Sequence, residues 1–352
     1  MVRRWTNRAG SGRQAGFSLI ELMLALALGM LVVTGIVQLF LGNTVAYNLL
    51  TGQARLQENG RLALDFLSTA VRNAGYFGCA PERENILYGL NGSGNSIFLA
   101  NAEWPVQAFH NGGGVPSQAG LPNTAISDAG ADVLTIRTMG QPQLRLQQVL
   151  QPDESPVVPA VGGDSPFDTG DIVVVADCDQ AVIFNVTGVS VAGDDATLDW
   201  DTFGLGSYDN RAANFADGLS LIGRSYGADA LLGPVQTNSF FIAESTSVTN
   251  NRGDRPLSLW LREGTADPVE LIAGVEDIRV LFGIDTTPND GEVNASRYVT
   301  FPEVPNISDI VTIRISVTVN SVDEVTDDPG NPILRRTFTE TVFLRNARPE
   351  EV

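Results

Sequence analysis

The chain has 352 residues, 43% of them hydrophobic, and a formal charge of −19, which describes a folded protein with room for one large domain or two small ones. Such acidity repels nucleic acid and anionic lipid, so no nucleic-acid partner is expected. All 22 basic residues are Arg; the absence of Lys, with one His (His110) and two Cys (Cys79, Cys178), excludes a P-loop lysine, a Schiff base, a His-rich metal site and a Cys-based zinc site.

Residues 1–16 form a polar leader that carries Arg3, Arg4, Arg8 and Arg13 and ends at Gly16. Phe17 opens an apolar run of 25 residues to Leu41 in which Glu21 is the only charge. At about 1.5 Å per residue this run makes a helix of roughly 37 Å, long enough to cross a hydrocarbon core of about 30 Å. A carboxylate one turn inside such a helix costs about 2.5–3.5 kcal/mol, so Glu21 needs a reason to be there. One reading is a plain anchor whose Glu21 reaches back to the interface. The other takes the block together. Gly16-Phe17-Ser18-Leu19-Ile20-Glu21, after an Arg-containing leader, resembles the prepilin cleavage and methylation site of type IV pilins and type II secretion pseudopilins. The resemblance implies cleavage by a prepilin peptidase between Gly16 and Phe17, then N-methylation of the Phe17 amine. Removing the leader leaves 18 basic against 41 acidic residues, a net charge of −23. The leader arginines precede the run and the next basic residue is Arg55. The positive-inside rule therefore puts the N-terminus in the cytoplasm and the bulk of the chain outside; the resemblance implies that residues 17–41 cross the bacterial inner membrane and that the rest lies in the periplasm.

From 42 to 75 the helix is expected to continue. No Pro interrupts it, and Leu49, Leu56, Ala63, Leu67, Ala70 and Val71 recur at helical spacing. Glu58, Arg61, Asp65, Ser68 and Arg72 fall largely on the other side. Gly29, Gly35, Gly42, Gly52 and Gly60 each cost about 1 kcal/mol against Ala. Membrane helices tolerate Gly, and close packing or bending is the functional alternative. Asn73-Ala74-Gly75 reads as the helix stop.

Residues 76–352 read as one β-rich globular domain. Residues 89–130 are rich in Gly and Asn and read mostly as loop, with His110 a surface residue of no assigned role. Asp132 to Arg137 is the first strand, and 152–170, with four prolines, a connector. Asp171 to Ala176 is continuously apolar, as in a strand covered on both faces. Val182–Val186 and Thr197–Trp200 follow at hairpin spacing. Further strands are read at 240–242, 257–262, 278–282, 311–320 and 338–344; Val311 to Asn320 alternates with period two. Cys178 lies at a strand end and Cys79 just past the helix, so a bridge would tie sheet to helix end; two free thiols are the alternative.

Three blocks resemble PilW-type minor pilins: Asn59 to Cys79, Gly274 to Gly283 with Ile310 to Ile315, and Phe338 to Asn346. Their order matches along both ends of the chain, while residues 85–235 match only loosely. The resemblance implies an α+β, type IV pilin-like fold, with a long helix packed on a β-rich periplasmic domain. It also implies a structural role without enzymatic activity or cofactor. With other minor pilins, the major pilin and the inner-membrane assembly platform, such a protein would prime pilus assembly and sit at or near the tip. A type II secretion minor pseudopilin of the J type and a pilus-borne adhesin are the alternatives. The turn from Asp285 to Glu292 clusters oxygen donors (Asp285, Asn289, Asp290, Glu292), which suit a weak calcium site or an ordinary loop.

Overall fold

The computed structural model describes residues 16–79, 86–88, 90–91, 98–121, 130–152, 154–200, 209–210, 224–287, 293–326, 330 and 332–344. The chain divides into two compact units, residues 1–51 and 52–352. Helix α1 (Leu19–Asn73) begins in the first unit and is the first element of the second. It ends as the Asn-Ala-Gly stop predicts. Gly75 takes φ 75°, a left-handed conformation that costs Gly no Cβ clash, and its N–H donates to the Arg137 carbonyl at 2.9 Å.

In the second unit α1 is followed by β1 (Ile86–Tyr88), β2 (Leu90–Asn91), β3 (Val106–Phe109), β4 (Val133–Met139), β5 (Leu144–Arg145) and β6 (Val157–Pro159). Next come β7 (Ile172–Ala176), β8 (Ala181–Asn185), β9 (Gly188–Ala192), β10 (Asp195–Asp199), β11 (Asp209–Asn210) and β12 (Leu231–Glu244). The chain continues through β13 (Leu257–Glu263), β14 (Val269–Ala273), β15 (Val275–Ile284), β16 (Arg297–Val299), β17 (Ile310–Asn320) and β18 (Arg335–Phe343). A large sheet runs β1-β8-β7-β12-β13-β14, with β3, β4 and β5 attached through β12. Its organiser is β12, which pairs first with β7 and β5, then with β4, then with β13. Pro234 sits where β12 changes partner from β7 to β4, a place where a missing N–H breaks no continuous ladder. A second sheet has the order β16-β15-β17-β18, and a small one β6-β10-β9.

Alternation decides which faces are covered. In β17 Ile313, Ile315, Val317 and Val319 are fully buried, facing Ile278, Val280 and Phe282 of β15 in one core. The helix adds Leu56, Ala63, Leu67 and Val71 to that core. Fully burying a Leu or Val side chain contributes about 1.5–3 kcal/mol, so this stripe is what attaches α1 to the unit. Strand β7 is buried on both faces. Val173 and Val175 enter a second core with Phe184, Leu198 and Tyr226, while Val174 and Ala176 enter a third with Phe77 and Met139.

The structure corrects several sequence readings. Residues 89–130 contain β3, a four-residue strand whose identity comes from pairing with β4. The 152–170 connector contains β6, an edge strand that tolerates Pro159. The hairpin partner of β10 is β9, while β8 pairs with β7. Strands β14 and β16 also went unpredicted; both are short and lie at sheet edges. On α1, Leu49 is exposed and Ser68, expected on the polar side, is buried.

Two of the five helix glycines answer the close-packing alternative. A Cβ on Gly60 would lie 2.3–2.9 Å from three ring atoms of Phe338, and one on Gly52 would lie 2.9 Å from Val325. Around Gly29, Gly35 and Gly42 there is nothing within 4 Å. Gly60→Ala gains about 1 kcal/mol of helix propensity and loses about 1–3 kcal/mol to overpacking, so the net effect should run from neutral to about 2 kcal/mol destabilising. Chemical denaturation of the detergent-solubilised chain should show Gly60→Val less stable by about 1–3 kcal/mol. A Gly60→Ala protein more stable than the parent would mean that the Phe338 ring moves aside freely.

Candidate functional site

The N-terminal segment is built by a cap. Ser18 precedes the first helical residue, and its Oγ accepts the Glu21 N–H at 3.2 Å. Ser-x-x-Glu is the spacing of a capping box, and it places Glu21 in the first turn, where the helix dipole favours a negative charge. Among the described residues no cation lies against the Glu21 carboxylate and no hydrogen bond reaches it. Phe17 is 84% exposed, and Gly16 is exposed beside it. Every side chain from Leu19 to Leu50 is exposed within the chain. The hydroxyls inside this apolar stretch are satisfied on the helix itself: Thr34 donates to the Met30 carbonyl at 2.7 Å and Thr44 to that of Phe40 at 3.0 Å. One helix of the described chain is long and apolar enough to cross a membrane. Residues 1–15 of the expected leader lie outside the described residues.

Cys79 and Cys178 are joined in a disulfide with Cα atoms 4.4 Å apart, closing a loop of 99 residues between the segment after α1 and the turn after β7. Both sides are held in place for it. Gly78 takes φ 82°, and a Cβ there would lie 2.7 Å from that of Ala176, so this approach needs glycine. On the other side the Asp177 carboxylate accepts the Asp179 and Gln180 N–H groups at 2.9 Å each and pairs with Arg224.

Of the proposed oxygen cluster only Asp285 lies within the described residues; Asn289, Asp290 and Glu292 lie outside them. Asp285 is buried and its Oδ1 accepts the Thr287 N–H at 3.0 Å, the arrangement of an Asx turn. Among the described residues no three His, Cys, Asp or Glu side chains are grouped to hold a metal.

Two carboxylates that sequence reasoning missed are the best-partnered in the second unit. Asp132, with a side chain 3% exposed, accepts from His110 Nδ1 (2.9 Å), the Asn111 N–H (3.0 Å), Arg279 (3.3 Å) and the Val280 N–H (2.9 Å). His110, read as a plain surface residue, is thus held on the buried acid that joins β3 and β4 to β15. Asn111 takes a left-handed φ of 50° to make its contacts. Asp277 lies close by; burial pushes its carboxyl above the usual range, against Arg279, which draws it down. No periodicity marks Asp132, because its partners come from 21 to 148 residues away along the chain.

Glu270 on β14 clamps the turn between β12 and β13. It accepts from the Ser245 hydroxyl (2.5 Å), the Ser258 hydroxyl (2.8 Å) and the Thr246 and Ser247 N–H groups (3.0 and 3.1 Å). Burial pushes its pKa up, but these hydrogen bonds outweigh burial and bring it from 4.5 to about 2. The depressed folded-state value means the clamp stabilises fully above pH 4.5 and is lost as pH falls towards about 2. Glu270→Gln should therefore flatten the acid limb of the stability profile in that window; a parent-like slope in the variant would assign the acid sensitivity elsewhere. Replacing both cysteines by Ser should cost about 2–5 kcal/mol in the same denaturation assay, and reduction of the parent should match it.

A family model described as the type IV pilus-assembly protein W matches residues 239–346, and one for the prokaryotic N-terminal methylation motif matches residues 11–37. No curated protein and no solved structure matches the chain. The first match covers the four-stranded sheet from β15 to β18 and the β13–β14 hairpin; the second covers Gly16, Phe17 and Glu21. With one apolar N-terminal helix ahead of a β-rich unit, the chain joins an N-terminus similar to the methylation motif to a C-terminal region similar to the type IV pilus-assembly protein W.

Proposed function

We propose that the protein is a membrane-anchored, PilW-type minor pilin of the type IV pilus, cut by a prepilin peptidase between Gly16 and Phe17, N-methylated on Phe17, and held in the inner membrane by residues 17–41 with its β-rich domain in the periplasm. There it serves as a structural subunit, without enzymatic activity, that joins other minor pilins and the major pilin at the assembly platform. It helps prime the pilus and enters it at or near the tip. The observation that carries this reading is the Ser18-capped first turn. It begins two residues after the proposed cut and presents Glu21 without a cation of its own.

The chemistry is one of charge relief. In a hydrocarbon environment an unpaired carboxylate costs about 2.5–3.5 kcal/mol. The new amine on Phe17 of a neighbouring subunit is a cation of opposite sign, and docking the two removes both unpaired charges together. The cap fixes the carboxylate one turn from the helix start, so the pairing also selects a register between subunits. The match to the pilus-assembly model supports the pilus over a secretion pseudopilus.

Glu21→Val should leave cleavage at Gly16 intact by mass spectrometry, yet lower incorporation into sheared pili at least about tenfold, as loss of a charge-assisted contact of about 1.5–3 kcal/mol requires. Normal incorporation of the Glu21→Val protein would remove the pairing mechanism.

A further inference from the structure

Strand β18 ends the four-stranded sheet and, among the described residues, pairs with β17 alone. Among the described residues no strand pairs with its other edge. Exposed edges are ordinarily blunted by Lys, Pro, a bulge or a covering element, because unpaired N–H and C=O groups recruit further strands. The nine residues Arg335 to Phe343 contain neither Lys nor Pro, and their register with β17 runs without a shift from Asn320↔Arg335 to Thr312↔Phe343.

Beside this edge a groove of about 580 Å³ opens between β18 and α1. Arg336, Phe338 and Glu340 form its β18 wall, and Arg61, Leu64 and Arg72 lie on the α1 wall. From Gln57 to Arg72 the helix advances about 22 Å, which matches six or seven extended residues at about 3.3 Å each. The charges are uneven. Arg72 is held by Glu340 at 2.8 Å, whereas among the described residues no carboxylate holds Arg61 or Arg336. Arg336 lies over the Phe338 ring, 5.0 Å from its centroid. Asp65 and Glu340 also line the groove, so three arginines face two carboxylates in a chain whose net charge is −19.

We propose that this edge of β18 and this groove form a strand-acceptor site for an extended segment of another subunit that carries carboxylates at alternate positions. The segment's backbone would continue the β18 ladder. Its inward side chains would lie in the groove, acidic ones on Arg61 and Arg336 and an apolar one between Leu64 and Phe338. The inference rests on the pilus reading only for the source of the segment.

The probe is a fluorescent, end-blocked seven-residue peptide with Glu, Val and Glu at alternate positions and Thr between them. Its anisotropy is titrated with the full chain in detergent. Binding should weaken at least about tenfold for the Arg61→Glu/Arg336→Glu protein, and a peptide with Lys in place of Glu should prefer that variant. N-methylation of alternate peptide amides should abolish binding to the unaltered chain, a comparison that needs no variant to fold. Absence of binding, equal binding of the N-methylated peptide, or indifference to charge reversal would each overturn the proposal. So would self-association of the full chain that the same reversal abolishes, since the occupant would then be a second copy. No filament enters this measurement, so its failure is separable from failure of the Glu21 experiment in cells.

Discussion

The second unit depends on one helix face meeting one sheet. Leu56, Gly60, Ala63, Leu67 and Val71 recur every three or four residues and put a narrow, mostly small stripe against the alternating apolar face of β15, β17 and β18. The stripe must be narrow because the ring of Phe338 occupies the space a Cβ of Gly60 would need. Asn59 reinforces the contact with a hydrogen bond to the Ala273 carbonyl at 2.9 Å, and Arg55 and Arg72 reach Asp323 and Glu340 across its flanks. Those ion pairs are largely exposed and contribute little by themselves; the buried stripe carries the attachment.

Polar groups set how the two larger sheets meet. Asp132 behaves as a piece of strand: its N–H donates to the Ile278 carbonyl while its carboxylate takes the Val280 N–H. It thereby couples the start of β4 to the middle of β15. Arg137, two turns of the pleat further on, is wholly buried, donates to the carbonyls of Phe98 and Trp104 at 2.7 Å each and stacks on the Phe98 ring. Buried polar groups with this many partners cost little when complete and much when any partner is removed, so they select one arrangement of the sheets over near alternatives.

The first turn of α1 answers two demands with the same four residues. Ser18 satisfies a helix N–H that would otherwise lack an acceptor, and the spacing that lets it do so places Glu21 near the positive end of the helix. A carboxylate there is tolerated in the isolated subunit and still open to a cation from outside. That combination is what the proposed pairing with a neighbouring Phe17 amine requires.

Local properties of the residues were enough to determine the long helix and its stop at Gly75, the apolar segment with its lone Glu21, and strands read at 132–137, 171–176, 257–262, 278–282, 311–320 and 338–344, each of which overlaps an observed strand. These are set by periodicity, by breakers and by the composition of short windows. Strands β3, β6, β9, β14 and β16 were not legible, because three to five residues with no clean alternation become strands only when a partner supplies the other half of the ladder. The same holds for the chemistry. Gly16, Phe17 and Glu21 lie within six residues, so the pattern that proposes them is local. The cluster on Asp132, the clamp on Glu270 and the groove beside β18 join residues scattered along the chain, and only the tertiary structure brings them within hydrogen-bond or van der Waals reach.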